Sequence, residues 1–285
     1  MNTPEAARAL QVSIEQLDEL LIEAGSDEEL SDERLTYALE HPSAVDLVAV
    51  ARLRQRVEEL DERYDKAPST SLLAEAGQCL EQVGFLRVHA PTNRVRRELF
   101  SVEAEAAILM GQLVWDASQR RDHTTARAYF DQAIEAARQL CDPAAEGRAL
   151  LRKSFVALYG EKDPRTGLTL ATQTADVANG TSHVITGLAV LHAAEAYAML
   201  KERSDCERAL GEAERHFGQI AFTDAALDLF SPTQHGRLAG SCYLFLEEAK
   251  RAEPILTATA KALQDRSKSR AIVLGNLALA FIRQQ

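Results

Sequence analysis

The side chains best suited to hold another molecule come in a repeated register in this chain. A helix-hairpin signature recurs four times, and the helix ahead of each copy turns equivalent positions to one wall. Those positions carry Gln112, Trp115 and Gln119 in the first copy, Arg152, Lys153 and Tyr159 in the second, and His192 and Glu195 in the third. The fourth supplies Gln234, Arg237 and Ser241, and a partial fifth supplies Asn276. Trp115 is the only tryptophan, and tryptophan and arginine are favoured anchors at binding hot spots. Arg152, Lys153 and Arg237 can hold a carboxylate, the arginines bidentately. Asn276 can give one donor and one acceptor to an extended peptide backbone. A peptide that is acidic or ends in a free carboxylate suits this set, because a basic patch stands out locally on a chain of net charge -11. The same residues also fit plainer duties, Trp115 and Tyr159 as core between repeats and Arg152 and Lys153 as a solvated face.

Catalytic and metal chemistry find no pattern. The histidines at 41, 89, 123, 183, 192, 216 and 235 show no HxxxH or HExxH spacing, and no cysteine pairs with one. Glycine-rich phosphate loops and the GxSxG elbow are missing as well. The expectation is a non-enzyme with no catalytic residue, no cofactor and no metal. Cysteines 79, 141, 206 and 242 form no CxxC or disulfide framework, and Cys206 falls where a small buried hydrophobe is needed. The N-terminus lacks an apolar leader, and no apolar run reaches the length of roughly 18 residues that a membrane span needs. A soluble protein of the cytoplasm is expected, without a membrane partner. The negative charge also removes nonspecific attraction to nucleic acid or anionic lipid.

The elements that must position these residues are helices. Hydrophobic content is 46%, with only 14 glycines and 8 prolines, which argues for a packed all-α chain of good helix formers. Each signature is a small residue, an apolar residue four positions on and another small residue three further. The sets are Ala126/Phe130/Ala133, Gly167/Ala171/Thr174, Cys206/Leu210/Ala213 and Ala252/Leu256/Thr259. They start about 40 residues apart, somewhat longer than the roughly 34-residue tetratricopeptide (TPR) unit whose second helix has this core. The fold expected is a TPR-like α-solenoid, a right-handed superhelix of helical hairpins with a long concave wall. Residues 95–285 hold four repeats and a terminal helix at 269–282. Residues 43–94 hold connecting helices at 46–65 and 72–88. A longer connection at 220–236 holds one short helix at 224–230. The terminal helix has no second helix after it, so Ile272, Leu274, Leu277, Leu279 and Ile282 seek burial, and a homodimer through that end is expected.

Residues 1–42 read as an acidic helical segment. Up to residue 40 it contains 11 acids and only the bases Arg8 and Arg34. Thr3 to Leu20 has the pattern of a helix-turn-helix, with Thr3-Pro4 opening a helix, Ala7 at the crossing and Leu10, Val12, Leu17 and Leu20 filling the seam. Gln11 stands where the turn normally has glycine. Glu15, Asp18 and Glu19 occupy the face that would meet DNA, where they repel phosphate. The alternative is a small helical bundle that docks on the first repeat.

Order and wording resemble the helix-turn-helix/TPR transcriptional regulators of the Xre type. The stretch Leu35-Thr36-Tyr37-Ala38-Leu39-Glu40-His41-Pro42-Ser43-Ala44-Val45-Asp46 looks like that family's junction helix. Residues 126–137, 154–160, 193–200, 240–246 and 274–280 match its repeats. A more distant similarity is to peptide-pheromone-responsive TPR regulators. The resemblance implies an operator-binding head and a ligand-sensing array, so the function expected is transcriptional control by a peptide or partner protein bound in the groove. An interaction adaptor with no DNA contact is the rival. An enzyme on a solenoid scaffold is a third reading without a motif behind it.

Overall fold

The structure, a computed structural model, describes residues 28–64, 66–263 and 268–285. The helix-turn-helix pattern at residues 3–20 lies outside them. Among the described residues every regular element is helical, in the order α1 (Glu28–Glu40), α2 (Leu47–Tyr64), α3 (Ser69–His89), α4 (Asn93–Ala117), α5 (His123–Leu140), α6 (Pro143–Phe155), α7 (Pro164–Ala178), α8 (His183–Met199), α9 (Arg203–Phe217), α10 (Gln234–Phe245), α11 (Ala249–Ala262) and α12 (Lys268–Ile282). No helix among the described residues is long and apolar enough to cross a membrane.

Local chemistry sets the ends of these helices. Asp122, Asp142, Asp163 and Ser182 each stand just ahead of a helix and accept from its first free amides, which removes orphan donors that would otherwise need water. Pro143 and Pro164 follow two of these caps at the first helical position, where a missing N–H costs nothing. Helix α6 ends at Phe155 and the chain continues as a π turn, Val156–Glu161, closed by Lys162 in the left-handed conformation at φ 57°. The short helix expected at 224–230 is a single 3-10 turn at Leu227–Leu229.

Four hairpins stack in sequence, α4/α5, α6/α7, α8/α9 and α10/α11, and α12 packs on the last. All twelve signature positions are buried. The reason for the small residues is visible where a second helix crosses a glycine of the first. A Cβ on Gly111 would fall 2.7 Å from the Phe130 ring, and one on Gly240 would fall 2.4 Å from Leu256. The middle apolar residue of the signature therefore sits directly on the backbone of its partner helix, closer than any side chain there would allow.

The first helices of successive hairpins touch one another along the series α4, α6, α8, α10 and α12, whereas the second helices α5, α7, α9 and α11 make at most marginal contact with each other. The first helices therefore line the inner wall of the stack, as expected of a helical solenoid. The core is a chain of apolar clusters. One runs from Leu35 in α1 to Leu170 in α7, crossing residues 42 and 94, and another runs from Val190 in α8 to Ala280 in α12. Between them Ala144, Leu151, Ile185, Leu188 and Ala226 close the middle.

Candidate ligand-binding cleft

The connection between α9 and α10 folds back across the inner wall. Asp224 accepts from the Ser182 hydroxyl at 2.6 Å and from the Val184 amide at 3.2 Å, which ties the connection to the start of α8. Arg148 on α6 grips Asp228 bidentately at 2.6 and 2.8 Å and donates to the Ala225 carbonyl at 2.6 Å. Ala226 is fully buried beneath these ties. The connection becomes one side of a cleft of about 510 Å³ whose other sides are α2, α4 and α6. That volume is in the range of small-ligand and peptide pockets.

An apolar floor and charged walls make up the cleft. Val57, Ala104, Ile108, Leu109, Ala144 and Leu229 supply the floor. Glu58 and Asp61 come from α2, three residues apart and so on one face, while Glu105 and Gln112 come from α4, two turns apart. Arg148 and Arg152 come from α6 at the i, i+4 spacing that also shares a face. Burial raises the Glu105 carboxyl, opposed by the charge of Arg54 and a hydrogen bond from Ser101. Arg54 is itself shared, at 3.1 Å from Glu98 and 3.8 Å from Glu105. Burial lowers Arg152, which the phenol of Tyr64 and the carboxylate of Asp61 partly restore. Gln112 is 7% exposed, and its carbonyl oxygen has no hydrogen-bond partner among the described residues. A buried amide oxygen left in that state costs about 1–3 kcal/mol.

Beyond Arg152 the inner wall continues as a hydrogen-bonded chain. Arg152 stands over the Phe155 ring at 5.7 Å, and Phe155 packs on the His192 ring at 4.4 Å between centroids. The π turn brings Tyr159 to His192 Nδ1 at 2.7 Å and lets its hydroxyl donate to Glu195. Ser241 on α10 donates to the other Glu195 oxygen at 2.8 Å. Burial raises the Tyr159 hydroxyl and the Glu195 charge raises it further. Burial alone would raise Glu195, but the nearby His192 ring at 3.7 Å and hydrogen bonds from Tyr159 and Ser241 hold it below the ordinary carboxylate value. Burial lowers His192. Arg237 lies close enough for its positive charge to lower both Tyr159 and His192.

Of the twelve residues read from the sequence, Arg152, Tyr159, His192, Glu195 and Ser241 are thus linked through side-chain contacts, with His192 and Glu195 themselves buried and Arg237 near by, and Gln112 joins Arg152 in the cleft. The remainder fall elsewhere. Trp115 is buried against Ala126, Phe130 and Val156, with Arg120 over its ring at 4.9 Å, so its apolar surface is core between hairpins. Lys153 is tied to Asp131. Gln119 ends exposed just past α4, at φ 54°. Gln234 is half-buried with its carbonyl oxygen unpartnered among the described residues. Asn276 is half-buried on α12, outside the cleft. Sequence reasoning missed Glu58, Asp61, Glu105, Arg148 and Asp228. The first four were legible as same-face pairs with one another or with Arg152 or Gln112. Asp228 carried no such signal, because its partner is 80 positions away.

Compared with models of known protein families, the chain matches none. Compared with curated proteins, it matches none either.

Proposed function

We propose that this chain is a cytosolic regulatory protein of the helix-turn-helix/TPR type whose concave wall binds a peptide or a partner protein to control transcription. The observation that carries this reading is the cleft. It opens on the wall formed by the first helices, it is walled by groups from four separate elements, and it contains a buried amide with an unsatisfied oxygen. Support for the TPR assignment comes from the four buried small–apolar–small signatures and from the inner position of every first helix. Arg237 forms no ion pair at contact distance among the described residues, and Arg152 has only the nearby charge of Asp61, so the two are offered as handles for a ligand carboxylate.

Panning a random hexapeptide display library on the full chain tests the reading. Peptides selected above background should lose affinity for the double variant Arg152→Ala/Arg237→Ala, by several kcal/mol if the arginines are desolvated in the complex and by about 1 kcal/mol or less at a wet rim. A library from which nothing is selected above background overturns it.

The acid count of residues 1–40, 11 against two bases, favours a second reading, in which the chain is an adaptor that meets proteins and no DNA. Each phosphate contact needs a base. Duplex binding by the purified chain at physiological salt should therefore be weak, and nanomolar sequence-selective binding in a fluorescence-anisotropy titration would exclude the adaptor.

A further inference from the structure

The cleft has a chemistry of its own, which only one of the two arginines along the wall, Arg152, shares. Five carboxylates line it, from Glu58, Asp61, Glu105, Asp142 and Asp228, against the guanidiniums of Arg148 and Arg152. Three of the five are already answered. Asp142 caps α6 through the Ala144 and Ala145 amides at 3.0 Å each, and Asp228 is held by Arg148. Asp61 lies near enough to Arg152 for its charge to support that guanidinium. The start of α6 therefore has no amides left for an anion, and Arg148 has no charge left for one. Glu58 and Glu105 remain, and Glu105 is met only by the Ser101 hydroxyl at 3.3 Å and by Arg54 at 3.8 Å, which Glu98 also claims. Negative charge is in excess among the lining groups. Gln112 also lines the cleft, with a buried amide oxygen that nothing among the described residues donates to. An anionic ligand would answer neither feature. A group that carries N–H donors and positive charge would answer both.

We propose that the cleft takes an ammonium or guanidinium group carried on an apolar stem, with Glu58 and Glu105 as counter-charges and Gln112 as the neutral acceptor. This rests on the reading of the wall as a peptide groove and reverses the charge preference expected from the sequence. The apolar floor of Val57, Ile108, Leu109 and Leu229 covers the stem, as long cationic side chains cover apolar surface while their heads stay polar. Two sources supply this chemistry, a lysine or arginine side chain within a peptide and the free amino terminus of a short peptide.

The same hexapeptide library, followed by calorimetry on the best synthetic peptide, tests the proposal. Lysine or arginine should be enriched at one position. Changing that residue to glutamate in the peptide should abolish measurable binding without touching the protein. The double variant Glu58→Gln/Glu105→Gln should bind the parent peptide about tenfold more weakly and with less dependence on salt. Ala145→Phe, which fills the cleft while leaving every charge in place, should weaken it similarly. Thermal melts of both variants confirm that they fold. Acetylating the peptide's amino terminus separates the two sources, since loss of binding assigns the amino terminus and retention assigns the side chain. Selected peptides that depend on Arg152 and Arg237 but tolerate Glu58→Gln/Glu105→Gln would overturn this proposal and leave the groove intact. Selection of acidic residues alone would do the same. Failure to select any peptide overturns both.

Discussion

Tyr159 has one hydroxyl proton and two partners, so it can donate to only one of them. The Glu195 carboxyl is held below the ordinary carboxylate value and accepts, so the Tyr159 proton goes to it. The contact with His192 Nδ1 at 2.7 Å then requires the histidine to donate, which places its proton on Nδ1. Stability should follow pH accordingly. The folded pKa of His192 lies below its ordinary 6.5, so in the interval between them the unfolded chain binds a proton that the folded chain does not. Its contribution is lost as pH falls from 6.5 through the folded value. Glu195 behaves alike below its ordinary 4.5. Tyr159 is raised above 10.0, so its contribution is present below that value and fades as pH climbs through the folded pKa. Urea unfolding across pH should show a decline beginning just under 6.5 that His192→Gln flattens. An identical decline in that variant would place the proton uptake elsewhere. Tyr159→Phe leaves a buried carboxylate and an imidazole short of a partner and should cost about 1–3 kcal/mol at neutral pH. A melting midpoint equal to the parent's would mean that water replaces the hydroxyl without loss.

At the scale of the element, the close crossings set the tolerance. Gly240→Ala puts a methyl 2.4 Å from Leu256, against a side chain that is fully buried and has little room to yield. Ala126→Leu adds three carbons at a position with no exposed surface. Each should destabilise by about 1–3 kcal/mol through overpacking, read as a lower midpoint in urea at unchanged slope. An Ala126→Leu variant as stable as the parent would undo the alignment of the first hairpin. The crossing at Ala126 was legible because a small residue at fixed helical spacing has one physical use, the close approach of two backbones. The π turn was not legible, since one extra residue per turn changes neither composition nor apolar spacing enough to see. Nor was the cleft, beyond Gln112 and Arg152. Its fourth side is built by polar ties of long reach, Ser182 to Asp224 across 42 positions and Arg148 to Asp228 across 80, and no periodicity in either partner announces the other. Trp115 misled for a related reason. An amphipathic aromatic suits a groove and a junction between hairpins equally well, and only the burial of its ring against Phe130 and Val156 separates the two.

Across the described residues, the last helix of the stack is unlike the rest. Each earlier first helix is covered by its own second helix and by the next hairpin. Helix α12 packs on α10 and α11 by one side, with Val273 and Ala280 buried there, and Arg283 donating to the Leu244 carbonyl at 2.6 Å fixes its end. Its other side exposes Ile272, Leu274, Leu279, Phe281 and Ile282. Five large exposed apolar side chains on one four-turn helix are more than monomers usually leave in water. A second copy of the same helix is the simplest cover, because a two-fold contact pairs the helix with itself. We therefore expect a homodimer through α12, seen as a concentration-dependent dimer mass in sedimentation equilibrium. The double variant Ile272→Glu/Phe281→Glu should shift it to monomer. Both substitutions fall on exposed positions, so the melting midpoint of the dissociated variant should fall only by what the dimer contact contributed. A parent chain that stays monomeric at high concentration would refute this expectation. A dimer that survives both glutamates would move the contact to another face, and the lone Phe222, 98% exposed in the connection before α10, would be the next position to change.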